Sequence, residues 1–164
     1  MRTIRTKVYK FSELSKEAQK KAIDKMYYVN VDFDWWEQMY EDASEIGLKI
    51  TGFDIDRGNY CEGEFNLSAN EVAQNILNNH GETCETYKTA VKFMGEWQPV
   101  FNTYMETEEG EDKLLEIEGD FLNSLCGDYL VMLRNDYEYM TSEAAIIETI
   151  EENEYEFTVD RKRF

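Results

Sequence analysis

The chain has 164 residues, of which 35 are acidic and 17 basic, giving a formal net charge of -18, and 14% of its residues are aromatic. A chain of this length buries enough surface to hold a core without disulfide or metal staples, and its aromatic content excludes an acidic disordered polymer. A field of this sign repels nucleic acid and anionic membranes; it attracts basic surfaces, among them the phosphate-binding grooves of nucleic-acid enzymes.

Taken in order, Thr3 to Phe11 is rich in β-branched and aromatic residues and predicts a strand. The opening MRTIRTKVYKF is basic with no apolar run behind it, which predicts no secretory leader. Ser15 reads as the N-cap of a helix over Lys16 to Tyr28, with Leu14, Ala18, Ala22, Ile23 and Met26 on one stripe. A second helix is expected from Asp34 to Ile46, capped by Asp32 or Asp34, with Gly47 at the C′ position. Leu48 to Asp56 and Tyr60 to Leu67 flank Arg57-Gly58-Asn59 and predict a hairpin, with Gly58 and Asn59 at positive φ. Gly52 breaks the alternation and suggests a bulge.

Ser68 opens a helix through Asn79, closed by His80-Gly81, and Thr86 to Trp97 predicts another, ended by Pro99. Residues 102–112 read as a loop or a frayed helix start. Helical patterning resumes over Lys113 to Leu125 and, after Gly127, over Asp128 to Met140. Ser142 caps a helix over Glu143 to Glu152, and Tyr155, Phe157 and Val159 alternate with polar residues as a last strand. The expected fold class is α+β, as one domain over residues 1–164: a small antiparallel sheet of about four strands with helices packed on one face.

Signatures of chemistry are weak. Asp54-Ile55-Asp56-Arg57-Gly58 fails the calcium-loop pattern: glycine falls one position early, and Phe65 stands where the bidentate glutamate belongs. Turn chemistry explains those residues. Cys61, Cys84 and Cys126 form no close pair, so neither a disulfide scaffold nor a zinc knuckle is read, and His80 with Cys84 at i, i+4 is composition without a ligand set. His80 is the one histidine, and it stands where a helix ends, a favourable place for the dipole. No phosphate-cradling glycine loop occurs. The expectation is a protein that is not an enzyme, with no catalytic residue, cofactor or metal. No apolar run approaches the ~20 residues that span a bilayer, and a cytoplasmic setting is expected.

The acidity is patterned. Residues 1–31 carry net +5, residues 32–100 net -10, and residues 101–164 net -13. Glu106, Glu108, Glu109, Glu111, Asp112, Glu116, Glu118 and Asp120 put eight acids in fifteen positions, opposed only by Lys113. Glu148, Glu151, Glu152, Glu154 and Glu156 make a second cluster, and Glu37, Glu41 and Glu45 a like-charge row that weakens an isolated helix. Basic residues near the start, Arg2, Arg5, Lys7, Lys10, Lys16, Lys20, Lys21 and Lys25, read as a solvated helix face and a protected strand edge rather than a nucleic-acid patch.

The segments KVYKFSELSKEAQKKAI, DFDWWE and GFDIDRGNYCEGEF resemble the opening of small bacteriophage and mobile-element proteins, some of them labelled antitoxins of toxin–antitoxin stability systems. The likeness spans about residues 8–65 and implies a phage or plasmid setting and a host partner, with no assigned activity. Two binding roles follow as expectations. In the first, the carboxylates from Glu106 to Asp120, with Glu148, Glu151 and Glu152, occupy the positive groove of a host nucleic-acid-targeting defence enzyme, in the manner of anti-CRISPR or anti-restriction proteins. The partner is then a basic protein surface and neither nucleic acid nor membrane. In the second, a toxin-neutralising module binds through aromatic surface at Trp35, Trp36 and Tyr40, although packing of both tryptophans between different elements is the simpler expectation.

Overall fold

The computed structural model describes residues 7–104 and 106–158. Its elements run β1 (Val8–Lys10), α1 (Lys16–Lys25), α2 (Glu37–Ile46), β2 (Leu48–Asp54), β3 (Tyr60–Phe65), α3 (Ala69–Asn79), α4 (Glu85–Tyr104), α5 (Glu108–Met140), α6 (Glu143–Glu152) and β4 (Glu156–Thr158). Among the described residues this is an α+β fold in which helices dominate and all strand pairing is antiparallel. The four strands do not share a sheet, as the sequence suggested; they form two separate ribbons, β1 with β4 and β2 with β3. Each ribbon serves its own core, β1 with β4 around Phe157 and β2 with β3 around Leu48 and Ile50. Of the strand expected from Thr3 to Phe11, Lys7 stands outside β1 and Phe11 instead opens a 3-10 turn over Phe11–Glu13, while residues 3–6, like Val159, lie outside the described residues.

The contacts divide into two compact units, one of residues 1–35 and 135–164, the other Trp36–Arg134. Each has its own core. In the first, Phe11, Ala22, Met26, Ile146, Ile150 and Phe157 are buried together, and β1 pairs β4 with Tyr9 opposite Phe157. Asn30 ties this unit internally: its amide donates to the Met140 carbonyl at 3.0 Å and its carbonyl accepts from the Thr149 hydroxyl at 2.7 Å. Ser15 caps α1 by accepting from the Ala18 N–H, and Ser142 caps α6 the same way from Ala145.

In the second unit, Ile46, Leu48, Val72, Ile76, Phe93, Phe121, Leu125 and Tyr129 are buried around the β2–β3 hairpin. Gly47 ends α2 at φ 94°, a left-handed value that glycine adopts without strain. The hairpin slips register between Ile50 and Gly52, the expected bulge. In its turn the Asp54 carboxylate accepts from the N–H groups of Asp56 and Gly58, which holds its pKa below the ordinary value. Asn59 alone takes the positive φ, at 49°; Gly58 does not. Ser68, the expected helix start, forms a reciprocal capping box with Glu71 on α3.

Several boundaries differ from the sequence reading: α1 ends at Lys25 rather than Tyr28, β2 at Asp54 rather than Asp56 and β3 at Phe65 rather than Leu67. α2 starts at Glu37 without a side-chain cap, so neither Asp32 nor Asp34 serves. α4 passes through Pro99 and ends at Tyr104. The two helices expected over 113–125 and 128–140 are one helix, α5, that also absorbs residues 108–112 and carries Gly119 and Gly127 inside it.

Candidate functional site

The candidate surface is the first half of α5. Thr107 starts it: its hydroxyl accepts from the Gly110 N–H at 3.1 Å and donates to the Tyr104 carbonyl at 2.8 Å. The chain from α4 into α5 passes so close that a Cβ at Gly110 would run into the Tyr104 carbonyl, which requires glycine there. Glu108, Glu109 and Glu111 in the first turn favour the positive end of the helix dipole.

At 100° per residue, Glu108, Asp112, Glu116 and Asp120 fall at i, i+4 steps and make one row along the helix. Glu109 lies on the same side, Glu111 on a flank, and Glu106 precedes the helix. All seven of these side chains are exposed. Among the described residues no ion pair or side-chain hydrogen bond engages the acids of the row, since the Lys–Glu pairs present are Lys49–Glu64, Lys88–Glu85 and Lys92–Glu96. Glu118 departs from the expectation. It is half-buried and its carboxylate accepts the Trp97 indole N–H at 3.0 Å, which makes it a brace between α4 and α5.

The row ends at a cavity of about 460 Å³ between α4 and α5, with Phe93, Ile117 and Phe121 in its wall and Asp120, Lys92 and Asp128 among its polar residues. Asp128 is half-buried and accepts the Thr89 hydroxyl at 2.7 Å. Burial raises its pKa above the ordinary aspartate value, against the Thr89 bond, which lowers it, and with a smaller push from Glu85. No local pattern marks this groove, because Thr89 and Asp128 are 39 positions apart.

Comparison with protein-family models, with curated proteins and with solved structures finds no match.

The second acidic cluster belongs to the other unit. Glu148, Glu151 and Glu152 are exposed on α6, Glu154 turns the chain at φ 49°, and Glu156 lies opposite Lys10 in the β1–β4 ladder. The two units differ in charge. Residues 36–134 carry 21 acidic and 6 basic side chains, net -15; the remainder carry 14 and 11, net -3. The first unit is the less charged because the basic residues 1–35, net +3, offset the acidic residues 135–164, net -6. Glu37, Glu41 and Glu45 are exposed along α2 and add to the acidic unit.

The other candidates have structural surroundings. His80 shares a hydrogen bond through Nδ1 with Thr86 Oγ1 at 2.7 Å, its Nε2 stands 3.9 Å from Asp42, and Asp42 accepts the Tyr129 hydroxyl at 2.7 Å. This order of hydroxyl, imidazole and carboxylate invites comparison with a nucleophile–base pair. Thr86, however, is only 2% exposed, and the chain of bonds serves to join α2, the α3–α4 junction and α5. Burial, then the bond to Asp42, push the Tyr129 phenol above its ordinary pKa. Trp35 and Trp36 are half-buried and face different partners, Tyr137 at 5.6 Å and Phe53 at 5.7 Å between ring centroids, as their adjacency on one segment requires. Among the described residues no three His, Cys, Asp or Glu side chains converge as a metal set, and no helix is long and apolar enough to cross a membrane.

Proposed function

We propose that the protein is a non-enzymatic binding protein whose α5 row, Glu108, Asp112, Glu116 and Asp120, docks on a cationic macromolecular surface. The observation that carries this is the row itself: exposed carboxylates, unneutralised by neighbours, on one continuous helix. From Glu108 to Asp120 the helix exposes six acids and one lysine. At a rise of about 1.5 Å per residue, that is one net negative charge per ~3.6 Å, close to the ~3.4 Å spacing of charge along one nucleic-acid strand. A groove built to hold a phosphate backbone meets a similar line of charge here, and its bound counterions are displaced in the same way. The narrower form, drawn from the likeness of residues 8–65 to phage and mobile-element proteins, is an inhibitor of a host nucleic-acid-targeting defence enzyme of the anti-CRISPR or anti-restriction kind.

The test is affinity for such an enzyme, purified without its nucleic acid, as salt is raised from about 50 mM to 500 mM. Binding should weaken at least tenfold, and duplex DNA or guide RNA should compete. The variant E108Q/D112N/E116Q/D120N should lose at least tenfold in affinity, mostly through a slower association rate, whereas E148Q/E151Q/E152Q should change it little. Binding that is indifferent to molar salt, or equal losses from the two variants, would remove the α5 row from the account.

A further inference from the structure

Cys61 and Cys126 are far apart in sequence and meet in the Trp36–Arg134 unit. Cys61 is half-buried on β3; Cys126 is buried on α5, 5% exposed. Cys61 and Gly63 stand two apart on the strand and so share a face. Gly63 offers no side chain, and a Cβ built there would come to 3.4 Å of the Cys126 sulfur. Cys126 therefore lies against β3 on the Cys61 face, close enough that each thiol shifts the other's ionisation, Cys126 downward and Cys61 upward. We infer that Cys61 and Cys126 are a built oxidation site that closes to an intramolecular disulfide on exposure to hydrogen peroxide.

The chemistry balances without a further reactant. Cys126 ionises first, and its thiolate takes the Cys61 proton as Cys61, the more accessible sulfur, attacks. Cys61 displaces hydroxide from peroxide and becomes a sulfenic acid; the hydroxide takes a proton and leaves as water. The Cys126 sulfur then attacks the Cys61 sulfur, forming the S–S bond and breaking the S–OH bond, and its own proton departs with the second hydroxide as water. Two thiols are oxidised by two electrons and one peroxide is reduced to two waters. Proximity eases loss of the pair's first proton, from Cys126, and hinders loss of the second, while burial raises Cys61 further. The S–S bond would clamp β3 to α5, the helix that carries the acidic row. Cys84, exposed ahead of α4, has no thiol partner among the described residues and serves as the internal control.

The experiment treats the folded C84S chain with a few equivalents of peroxide, quenches, alkylates in denaturant, and maps peptides without reduction. The expected product is a monomer about two mass units lighter, with the Cys61 and Cys126 peptides joined and a thermal midpoint raised by about 5 °C that reductant reverses. C61S should abolish both changes. Should Cys126 remain alkylatable while Cys61 advances to sulfinic acid, the inference is overturned. The same holds if the cross-link forms only when the chain is oxidised in denaturant. Because C61S alters a half-buried strand position, its circular dichroism is compared with that of the parent; a folded C61S that still gains the mass loss also sinks the pairing.

Discussion

At the scale of single residues, burial separates acids that brace the fold from acids that face outward. Glu118 belongs to the same run as its neighbours, yet it holds the Trp97 indole. Glu118→Ala should lower stability by about 1 kcal/mol, measurable by urea unfolding, while Glu116→Ala on the exposed face should leave it within about 0.5 kcal/mol. Equal effects would mean the indole bond contributes nothing. Tyr129 is fully buried and its hydroxyl donates to a carboxylate, so Tyr129→Phe should cost about 1.5 kcal/mol. Asp128 behaves oppositely because burial raises its pKa in the folded state. The folded chain then binds that proton more tightly than the unfolded chain, so the contribution of Asp128 to stability falls as pH rises from the unfolded aspartate range through the raised value. Asp128→Asn keeps an acceptor for Thr89 and removes the buried charge. It should stabilise the protein at pH 7 by about 0.5 kcal/mol, discounted for partial exposure, and lose that advantage near pH 3.5. A less stable Asn variant at pH 7 would show that the Thr89 bond outweighs burial.

At the scale of elements, the sequence was most legible where local chemistry acts alone. Ser68 with Glu71, Ser142, Gly47 and the Arg57-Gly58-Asn59 turn each satisfy backbone groups within a few residues, and α3, α6, the end of α2 and the β2–β3 hairpin lie where those signals put them. It was least legible where packing overrides a breaker. Gly127 reads as a stop, but Phe121, Leu125, Tyr129 and Leu133 are buried at i, i+4 steps straight across it, and that stripe holds α5 together. Burial of a glutamate against an indole from another helix, or of one thiol against another across a long loop, leaves no mark on local sequence. Pro99 is the sharpest case. It denies Gly95 its helical hydrogen bond, yet both residues are exposed, so water can serve the orphan carbonyl, while Phe93, Trp97 and Val100 stay buried on the other side. The helix persists because its apolar stripe outweighs a defect on the wet face. Pro99→Ala should therefore stabilise the chain by about 2 kcal/mol, since it restores one bond and touches nothing in the core. A loss of stability in thermal or urea unfolding would mean the proline is doing structural work that the buried stripe does not reveal.

At the scale of the whole molecule, the charge is a cost set against a binding role. With a net charge of -18, 15 units of it in residues 36–134, and few exposed Lys–Glu pairs among the described residues, repulsion should exceed attraction in the folded state. Screening then favours folding. Raising NaCl from about 10 mM to 500 mM should lift the thermal midpoint by about 5 °C, the opposite of a protein held together by surface ion pairs. The E108Q/D112N/E116Q/D120N variant removes four charges from one row and should be more stable than the parent at low salt, with a shallower salt dependence. The same substitutions should weaken binding to a cationic groove, so stability and affinity should move in opposite directions. If the variant is instead less stable at low salt, the row is holding α5 in place through its helix dipole and local bonds, and its carboxylates have a structural reason to be there.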